Sequence, residues 1–363
     1  MTASHFRSMG EGTRLRLRRF SWVIVAGTVV GIVYGSLIGF AGWGELLIGG
    51  MIGAVHGFII SSAIAMMEIF GVRTSWGQRI EQAPLIITIL IKGVVYSTVI
   101  LCVELFSVGE MVVLGGVGDP QTTRAFAPMS IIFSFIIMFI IIFFLQISRL
   151  VGGRTLRNIL LGRYHQPRME ERFFLFVDIV GSTRIAEEIG ELSIHRFLNR
   201  IFALIADPVT DQHGEIYQYV GDEIVITWQI ARGRTRARPL ACFFQIQRAL
   251  ADAAPWFEAT FGVSPAVRGA LHAGPVVLGE VGVYRRSIVF HGDVMNVTSR
   301  IEQATRELDS RFLASGTALD LLDGLDAYAI QDRGQRQLRG RHAPLQIFTV
   351  SQKKGSQTTD ASA

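Results

Sequence analysis

The sequence is poor in cysteine and in charged residues. It contains two cysteines, Cys102 and Cys242, among 363 residues, which are too few and too far apart for a disulfide framework or a zinc cage. Charged residues make up 18% of the chain, whereas an ordinary soluble protein has about 25%. Hydrophobic residues make up 50%. This composition disfavours a disordered protein, a small secreted scaffold and a uniformly soluble enzyme.

The shortage of charge is confined to one part of the chain. Residues 1–150 contain ten Lys and Arg and seven Asp and Glu, while the rest contains 25 and 23. The second part therefore has the charge density of a globular domain, and the excess hydrophobicity lies in the first. The net charge of +5 indicates an acidic partner without naming it.

Four apolar stretches are long enough to cross a bilayer, which takes about 20 residues. They predict a membrane domain of four transmembrane helices over residues 20–150, with spans at 20–43, 46–70, 83–106 and 128–150. The first two spans carry glycines four residues apart, which lie on one helix face and allow two helices to approach closely.

Basic residues set the predicted orientation. Five arginines precede the first span, and four lie at or after the end of the fourth (Arg149, Arg154, Arg157 and Arg163), while the connections between spans contain few. The positive-inside rule then places both termini in the cytoplasm, in a multi-pass protein of the inner (plasma) membrane. Residues 1–19 form a basic cytosolic segment. Because the first apolar run is longer than a signal-peptide core and no A-x-A-like site follows it, we expect an uncleaved span.

Three ionisable side chains lie well inside the predicted spans: His56, Lys92 and Glu104. Such residues are functional candidates, and a haem ligand or a dimer contact is one interpretation of His56. The interpretation favoured for all three is an interhelical hydrogen bond or ion pair that fixes packing.

The second part of the chain alternates between strand and helix patterns, which is typical of an α+β domain. A linker is predicted at 151–171, a cytosolic domain at 172–350 and a disordered polar tail at 351–363. The predicted helices are 182–211, 240–254 and 293–306. The predicted strands are 172–178, 215–220, 224–228, 266–272, 276–278, 287–291, 311–314 and 345–350.

Two aspartates occur where chemistry is expected. Asp178 ends a predicted buried strand, and Asp222 follows Gly221 in a tight hairpin turn. If the two strands are neighbours, both carboxylates face one point, where they repel unless a cation joins them. Mg²⁺ and Mn²⁺ sites on phosphate substrates are built in this way. The alternative for a single aspartate at a strand end is a turn cap.

Four segments in order extend this observation: FVDIVGST at 176–183, YVGDE at 219–223, RGALHAGPV at 268–276 and GDVMNVTSR at 292–300. Together they resemble the catalytic domain of the class III nucleotidyl cyclases, the adenylate and guanylate cyclases. The resemblance covers about residues 170–350, and the whole layout is similar to bacterial membrane-anchored cyclases. It implies the ferredoxin-like, palm-type cyclase fold for the cytosolic domain.

The resemblance also implies roles for individual residues. Asp178 and Asp222, with the backbone carbonyl of Ile179, correspond to ligands of two Mg²⁺ or Mn²⁺ ions per site. Asn296 and Arg300 correspond to the pair that orients the ribose and meets charge on the α-phosphate. Arg339 falls where the family has a basic residue for the terminal phosphates, although a solvated cation at a strand end explains it equally well. In the family the aspartates and the Asn/Arg pair come from opposite subunits, which implies a homodimer.

Base selection departs from the family pattern, since Gln218 and Val289 occupy the two positions that usually read adenine. Gln can still donate to and accept from a purine, whereas Val can do neither. We therefore expect ATP as the substrate, with a guanylate or relaxed-specificity cyclase as the alternative. A nucleotide-binding membrane sensor with an inactive cyclase-like domain is the non-enzymatic alternative, and retention of all four polar site residues argues against it. No nucleic-acid partner is expected.

Overall fold

The computed structural model of the protein describes residues 11–38, 43–71, 74–81, 83–113, 120–151, 162–163, 165–283, 287–337 and 343–353. Contacts along the chain define two compact units. One is Thr13–Asn158 and the other contains Ile159–Ala363.

The first unit is helical. Its helices are α1 (Glu11–Ile38), α2 (Trp43–Ile69), the short α3 (Ser75–Glu81), α4 (Leu85–Val113) and α5 (Pro120–Val151). Three of them are long and apolar enough to cross a membrane, over Phe20–Leu37, Leu46–Ile69 and Ile86–Val103. The fourth predicted span falls in α5, whose described apolar part is the shorter stretch Phe135–Ser148.

Helices α1 and α2 are in direct backbone contact. A Cβ atom added to Gly31 would overlap the carbonyl group of Gly53, and one added to Gly57 would overlap that of Gly27. Glycine is therefore required at these positions by the close approach of two backbones. The predicted role of the glycine spacing is confirmed for this helix pair.

A buried ion pair joins α2 to α4. Lys92 Nζ lies 2.9 Å from Glu68 Oε1, and the Tyr96 hydroxyl donates a 2.7 Å hydrogen bond to the same oxygen. The predicted packing role of Lys92 is thus confirmed, with a partner near the end of α2 that the sequence did not single out. His56 is half-buried on α2, and its role stays a prediction. The side chain of Glu104 is outside the described residues.

The second unit contains one mixed sheet with helices on both faces. Its strands are β1 (Arg168–Ile179), β2 (Glu215–Val220), β3 (Glu223–Gln229), β4 (Val267–Val281), β5 (Ser287–His291), β6 (Phe312–Ser315), β7 (Tyr328–Arg336) and β8 (Leu345–Gln352). Its helices are α6 (Ser182–Ile189), α7 (Glu191–Asp211), α8 (Ile230–Gly233), α9 (Arg238–Phe261), α10 (Asp293–Glu307) and α11 (Gly316–Asp320), with 3₁₀ turns at Thr235–Ala237 and Leu325–Ala327. The strand order is β2-β3-β1-β4-β6-β8-β7, with β5 paired to β4. The predicted α+β class is confirmed.

The alternation of side chains along β1 divides the core between the two faces of the sheet. Phe173, Leu175 and Val177 belong to the larger core, which also contains buried residues of α7 and α9. Phe174 and Phe176 pack on the opposite face, in a cluster that includes Val294 of α10. Asp178 continues this second row and therefore lies on the α10 face.

Two local predictions were wrong. The predicted helix 182–211 is interrupted at Gly190, whose φ of 83° suits glycine. The predicted strands 266–272 and 276–278 form a single strand, because β4 runs unbroken and pairs with β1 through Gly274 and Pro275. On the side of β4 away from β1, strand β5 pairs only from Val277 onward. Pro275 precedes this pairing, so its lack of a backbone N–H costs no hydrogen bond to β5. Strand β1 begins at Arg168, inside the predicted linker, and β7 was not predicted.

The α1–α2 contact generates a prediction for the intact chain in detergent. Gly53→Ala should lower the free energy of unfolding by about 1–3 kcal/mol, because the added methyl group forces two packed backbones apart. The matched control is Gly93→Ala on α4, where an added Cβ meets no described atom within 4 Å. Thermal melting of both variants measures the difference. Equal melting temperatures would show that α1 and α2 do not pack in this way.

Candidate active site

The predicted aspartate pair is brought together at one end of the sheet. Strands β1 and β3 are antiparallel with Val177 opposite Ile224, so Asp178 reaches the turn that carries Asp222. Burial raises the pKa of Asp178, and the neighbouring charge of Asp222 raises this pKa further. The hydroxyl of Ser182, the first residue of α6, donates a hydrogen bond to Asp222 Oδ2. The structure thus confirms that the two carboxylates are neighbours.

The backbone that presents Asp222 depends on glycine. Gly221 has a φ of 64°, in the left-handed region that residues with a Cβ rarely adopt. This conformation closes the two-residue turn between β2 and β3, and the register of the hairpin then places Asp222 at its tip. A short hairpin beside β1 therefore sets the position of the second carboxylate.

A guanidinium group from helix α10 reaches the same point. Arg306 Nη2 donates a 2.9 Å hydrogen bond to Asp178 Oδ2 and lies 3.7 Å from Glu302 Oε1. The side chain of Asp178 is 8% exposed, whereas that of Arg306 is 62% exposed. The hydrogen bond lowers the pKa of Asp178 and so partly offsets its burial.

Two further carboxyl groups complete an acidic cluster, defined here as Asp178, Asp222, Glu223 and Glu302. Burial raises the pKa of Glu223 to about 7, with added repulsion from Glu302 and the two aspartates. Burial and the charge of Asp178 raise the pKa of Glu302 to about 7. Sequence reasoning missed Glu223, Glu302 and Arg306, although the four-residue spacing of Glu302 and Arg306 on one helix was a usable signal.

The cluster has the character of a site for a hard divalent cation. Its oxygens repel each other, and Glu302 Oε1 is buried without a hydrogen-bond partner among the described residues. Among the described residues, no three His, Cys, Asp or Glu side chains are arranged so that they alone could bind a metal ion. The two aspartates would therefore leave positions for backbone oxygen, phosphate and water, which Mg²⁺ commonly retains. Ile179 ends β1 beside Asp178, and the role of its carbonyl stays a prediction.

The predicted Asn/Arg pair is not brought to the aspartates within one chain. Asn296 is exposed and Arg300 half-buried on α10. Six residues separate Arg300 from Arg306, which corresponds to about 240° around the helix axis and about 9 Å along it. Because Arg306 points at Asp178, Arg300 and Asn296 project from other parts of the surface of α10.

The two predicted base-selecting positions belong to neighbouring segments. The Tyr217 hydroxyl accepts a 3.3 Å hydrogen bond from the backbone amide of Phe290, and the two rings are 4.5 Å apart. Gln218, the next residue of β2, is exposed, and Val289, on β5, is half-buried. Arg339 lies outside the described residues, so its predicted contact with the terminal phosphates stays a prediction.

Known proteins are similar to this chain in sequence and in fold. The family model described as "Adenylate and Guanylate cyclase catalytic domain" matches residues 165–352. Adenylate cyclase 2 of Rhizobium meliloti (strain 1021) is 32% identical over 323 residues, which cover 88% of each chain. Adenylate cyclase 1 of the same organism is 28% identical over 189 residues, and the match covers only 27% of that larger protein.

A solved structure has a fold similar to that of this chain. The structure of a bacterial light-regulated adenylyl cyclase matches 66% of this chain and 68% of that chain, with a TM-score of 0.53 and 18% identity. At this level of identity the match supports the fold alone. The predicted cyclase fold of the second unit is confirmed.

The raised pKa of Glu302 predicts how stability depends on pH. A carboxyl group with a pKa of about 7 in the folded protein, against an ordinary value of 4.5, binds its proton more tightly when folded. Its contribution is therefore complete below about pH 4.5 and is lost as the pH rises through 7. With EDTA present, Glu302→Gln should remove on the order of 2 kcal/mol of this pH dependence.

Melting curves of the full chain between pH 5 and pH 8 measure the effect. The control is Glu188→Gln, which alters an exposed carboxylate paired with Arg184. A pH dependence that is the same in Glu302→Gln and in the unmodified protein would contradict the assigned burial of Glu302.

Proposed function

Because the chain belongs to the adenylate and guanylate cyclase family and is a class III cyclase, we propose that it is a membrane-anchored adenylate cyclase that converts ATP to 3′,5′-cyclic AMP and pyrophosphate. The observation that carries the proposal is the meeting of Asp178 and Asp222 at one end of the sheet, with repulsion between them. Adenylate cyclase 2 of Rhizobium meliloti, matched over 88% of its length, supports adenine as the base.

Asp178 and Asp222, with the carbonyl oxygen of Ile179, would hold two Mg²⁺ or Mn²⁺ ions per site. Such ions lower the pKa of an attacking hydroxyl and neutralise the charge of a triphosphate. Phosphoryl transfer requires positioning and charge neutralisation more than covalent catalysis. The rigid placement of Asp178 within the sheet, between β3 and β4, supplies that positioning.

Asn296 and Arg300 supply the remaining polar groups in this proposal. Asn296 orients the ribose, and Arg300 meets charge that develops on the α-phosphate, for which its planar fork of donors is suited. Both lie on other parts of α10 than Arg306, which supports the proposal that a second copy completes the site. A two-fold homodimer then has two composite sites. Arg339 is assigned to the terminal phosphates.

The base would be read by Gln218 and Val289. Gln218 is exposed on β2, and its amide can donate to a ring nitrogen and accept from the exocyclic amino group of adenine. Val289 can only contribute an apolar contact, so we propose ATP as the preferred substrate and GTP as the competitor to be tested.

The helical unit is proposed to anchor the enzyme in the inner membrane. The support is the three helices of sufficient length and apolarity and the arginines before the first span and after the fourth. By the positive-inside rule, these arginines support the proposal that both termini are cytoplasmic. The catalytic domain then extends from Arg168, where β1 begins, to about residue 350, after a linker that starts near residue 151.

The cyclase assignment predicts the behaviour of the purified full chain with Mn²⁺. It should form cyclic AMP from ATP faster than cyclic GMP from GTP, and Asp178→Asn should reduce the rate at least a hundredfold while leaving the far-UV CD spectrum unchanged. Asp323→Asn is the matched control, because it breaks an exposed ion pair with Arg234. Activity that survives in Asp178→Asn would contradict the metal assignment, and faster turnover of GTP would make the protein a guanylate cyclase.

The composite site predicts complementation between two inactive variants. Asp222→Ala and Arg300→Ala place their defects in one site of a mixed dimer and leave the other intact. Random association after co-expression should therefore restore about a quarter of the unmodified rate. Rates are compared with those of each variant expressed alone. No recovery in dimers shown to be mixed by two affinity tags would contradict the shared site.

A further inference from the structure

The contact between Arg306 and Asp178 is a charged hydrogen bond at the position where the proposed metal ligand would bind its ion. Arg306 Nη2 lies 2.9 Å from Asp178 Oδ2, and among the described residues Arg306 is the only cation that pairs with Asp178. The same guanidinium acts electrostatically on Glu223, Glu302 and Asp222. A single side chain thus supplies positive charge to every member of the acidic cluster.

The two partners of this ion pair differ in their freedom to move. Asp178 is 8% exposed and is held on β1, a strand paired on both sides with β3 and β4. Arg306 is 62% exposed and lies in the last turn of α10. A long exposed side chain can return its charge to water at little cost, whereas a buried strand carboxylate cannot leave its position.

The geometry points to an exchange at Asp178. We propose that Arg306 is a positioning residue that holds Asp178 Oδ2 while the site has no metal and withdraws into solvent when a divalent cation binds there. The inference rests on the proposed function, since it takes Asp178 and Asp222 as the metal ligands. Its physical basis is charge balance, because one added dication replaces the compensation that the guanidinium provides.

The exchange predicts that Arg306 competes with the metal. Arg306→Gln removes both the competing hydrogen bond and the repulsion of a positive charge, so it should bind Mn²⁺ about tenfold more tightly than the unmodified protein. Arg306→Lys keeps the charge and loses the fork of donors, so its affinity should fall between the two. A residue that merely supported the fold, or that oriented Asp178 for the metal, would weaken binding when it is replaced.

Binding is measured on the full chain in detergent, without nucleotide, by the EPR signal of free Mn²⁺. Arg234→Gln is the matched control, because it removes an arginine from an exposed pair with Asp323, with the Nε–Oδ2 distance at 3.1 Å, and it should leave Mn²⁺ affinity unchanged. In EDTA, Arg306→Gln should melt at a lower temperature than the unmodified protein, and saturating Mn²⁺ should close most of this gap. If Arg306→Gln does not fold, the comparison is made with Arg306→Lys.

The outcomes separate this inference from the proposed function. Weaker or unchanged Mn²⁺ binding by the Arg306 variants, together with weaker binding by Asp178→Asn, overturns the exchange and leaves the metal assignment in place. Equal Mn²⁺ binding by Asp178→Asn and the unmodified protein overturns both. Tighter binding by Arg306→Gln, with Asp178→Asn weakened, supports the exchange.

Discussion

Repulsion between carboxylates at one end of a sheet is the constraint on which the rest of the catalytic unit depends. Asp178 and Asp222 are brought together by the pairing of β1 with β3 and by a turn that requires Gly221. Burial strengthens their interaction because less water screens it, and it raises the pKa of Asp178. A fold that holds two carboxylates this close is stabilised when a positive charge lies beside them. In the proposed metal site the ions would supply that charge, and the guanidinium of Arg306 supplies part of it within this chain.

Helix α10 carries two sets of polar side chains. One face of the helix packs on the sheet through buried residues such as Val297 and Ile301. Near its end Glu302 and Arg306 reach the aspartate pair of the same chain, whereas Asn296 is exposed and Arg300 is half-buried on other parts of the helix surface. Because one rigid helix carries both sets, their spacing is fixed by helical geometry. In the proposed dimer the helix would therefore contribute to both composite sites.

The helical unit follows a different physical rule, because apolar surface alone does not hold helices together in lipid. Its described contacts include a cluster of buried apolar residues on α2, α4 and α5, a backbone approach at glycines of α1 and α2, and a buried pair between Glu68 and Lys92. The glycine contact and the ion pair depend on a close fit between particular residues rather than on hydrophobicity. The close helix approach could be predicted from the sequence because the glycines recur every four residues. The partner of Lys92 could not be predicted, because Glu68 lies on another helix.

Features that depend on local pattern could be predicted from the amino-acid sequence. The long apolar runs, the strand–turn–strand around Asp222 and the helix from Asp293 were all predicted, because run length and side-chain period are properties of neighbouring residues. Features that depend on contacts between residues far apart in the sequence became visible only in the tertiary structure. The unbroken β4 follows from its long register with β1, and the contact of Arg306 with Asp178 joins residues 128 positions apart. No local pattern encodes such a contact, because it arises only when α10 packs on the face of the sheet that carries Asp178.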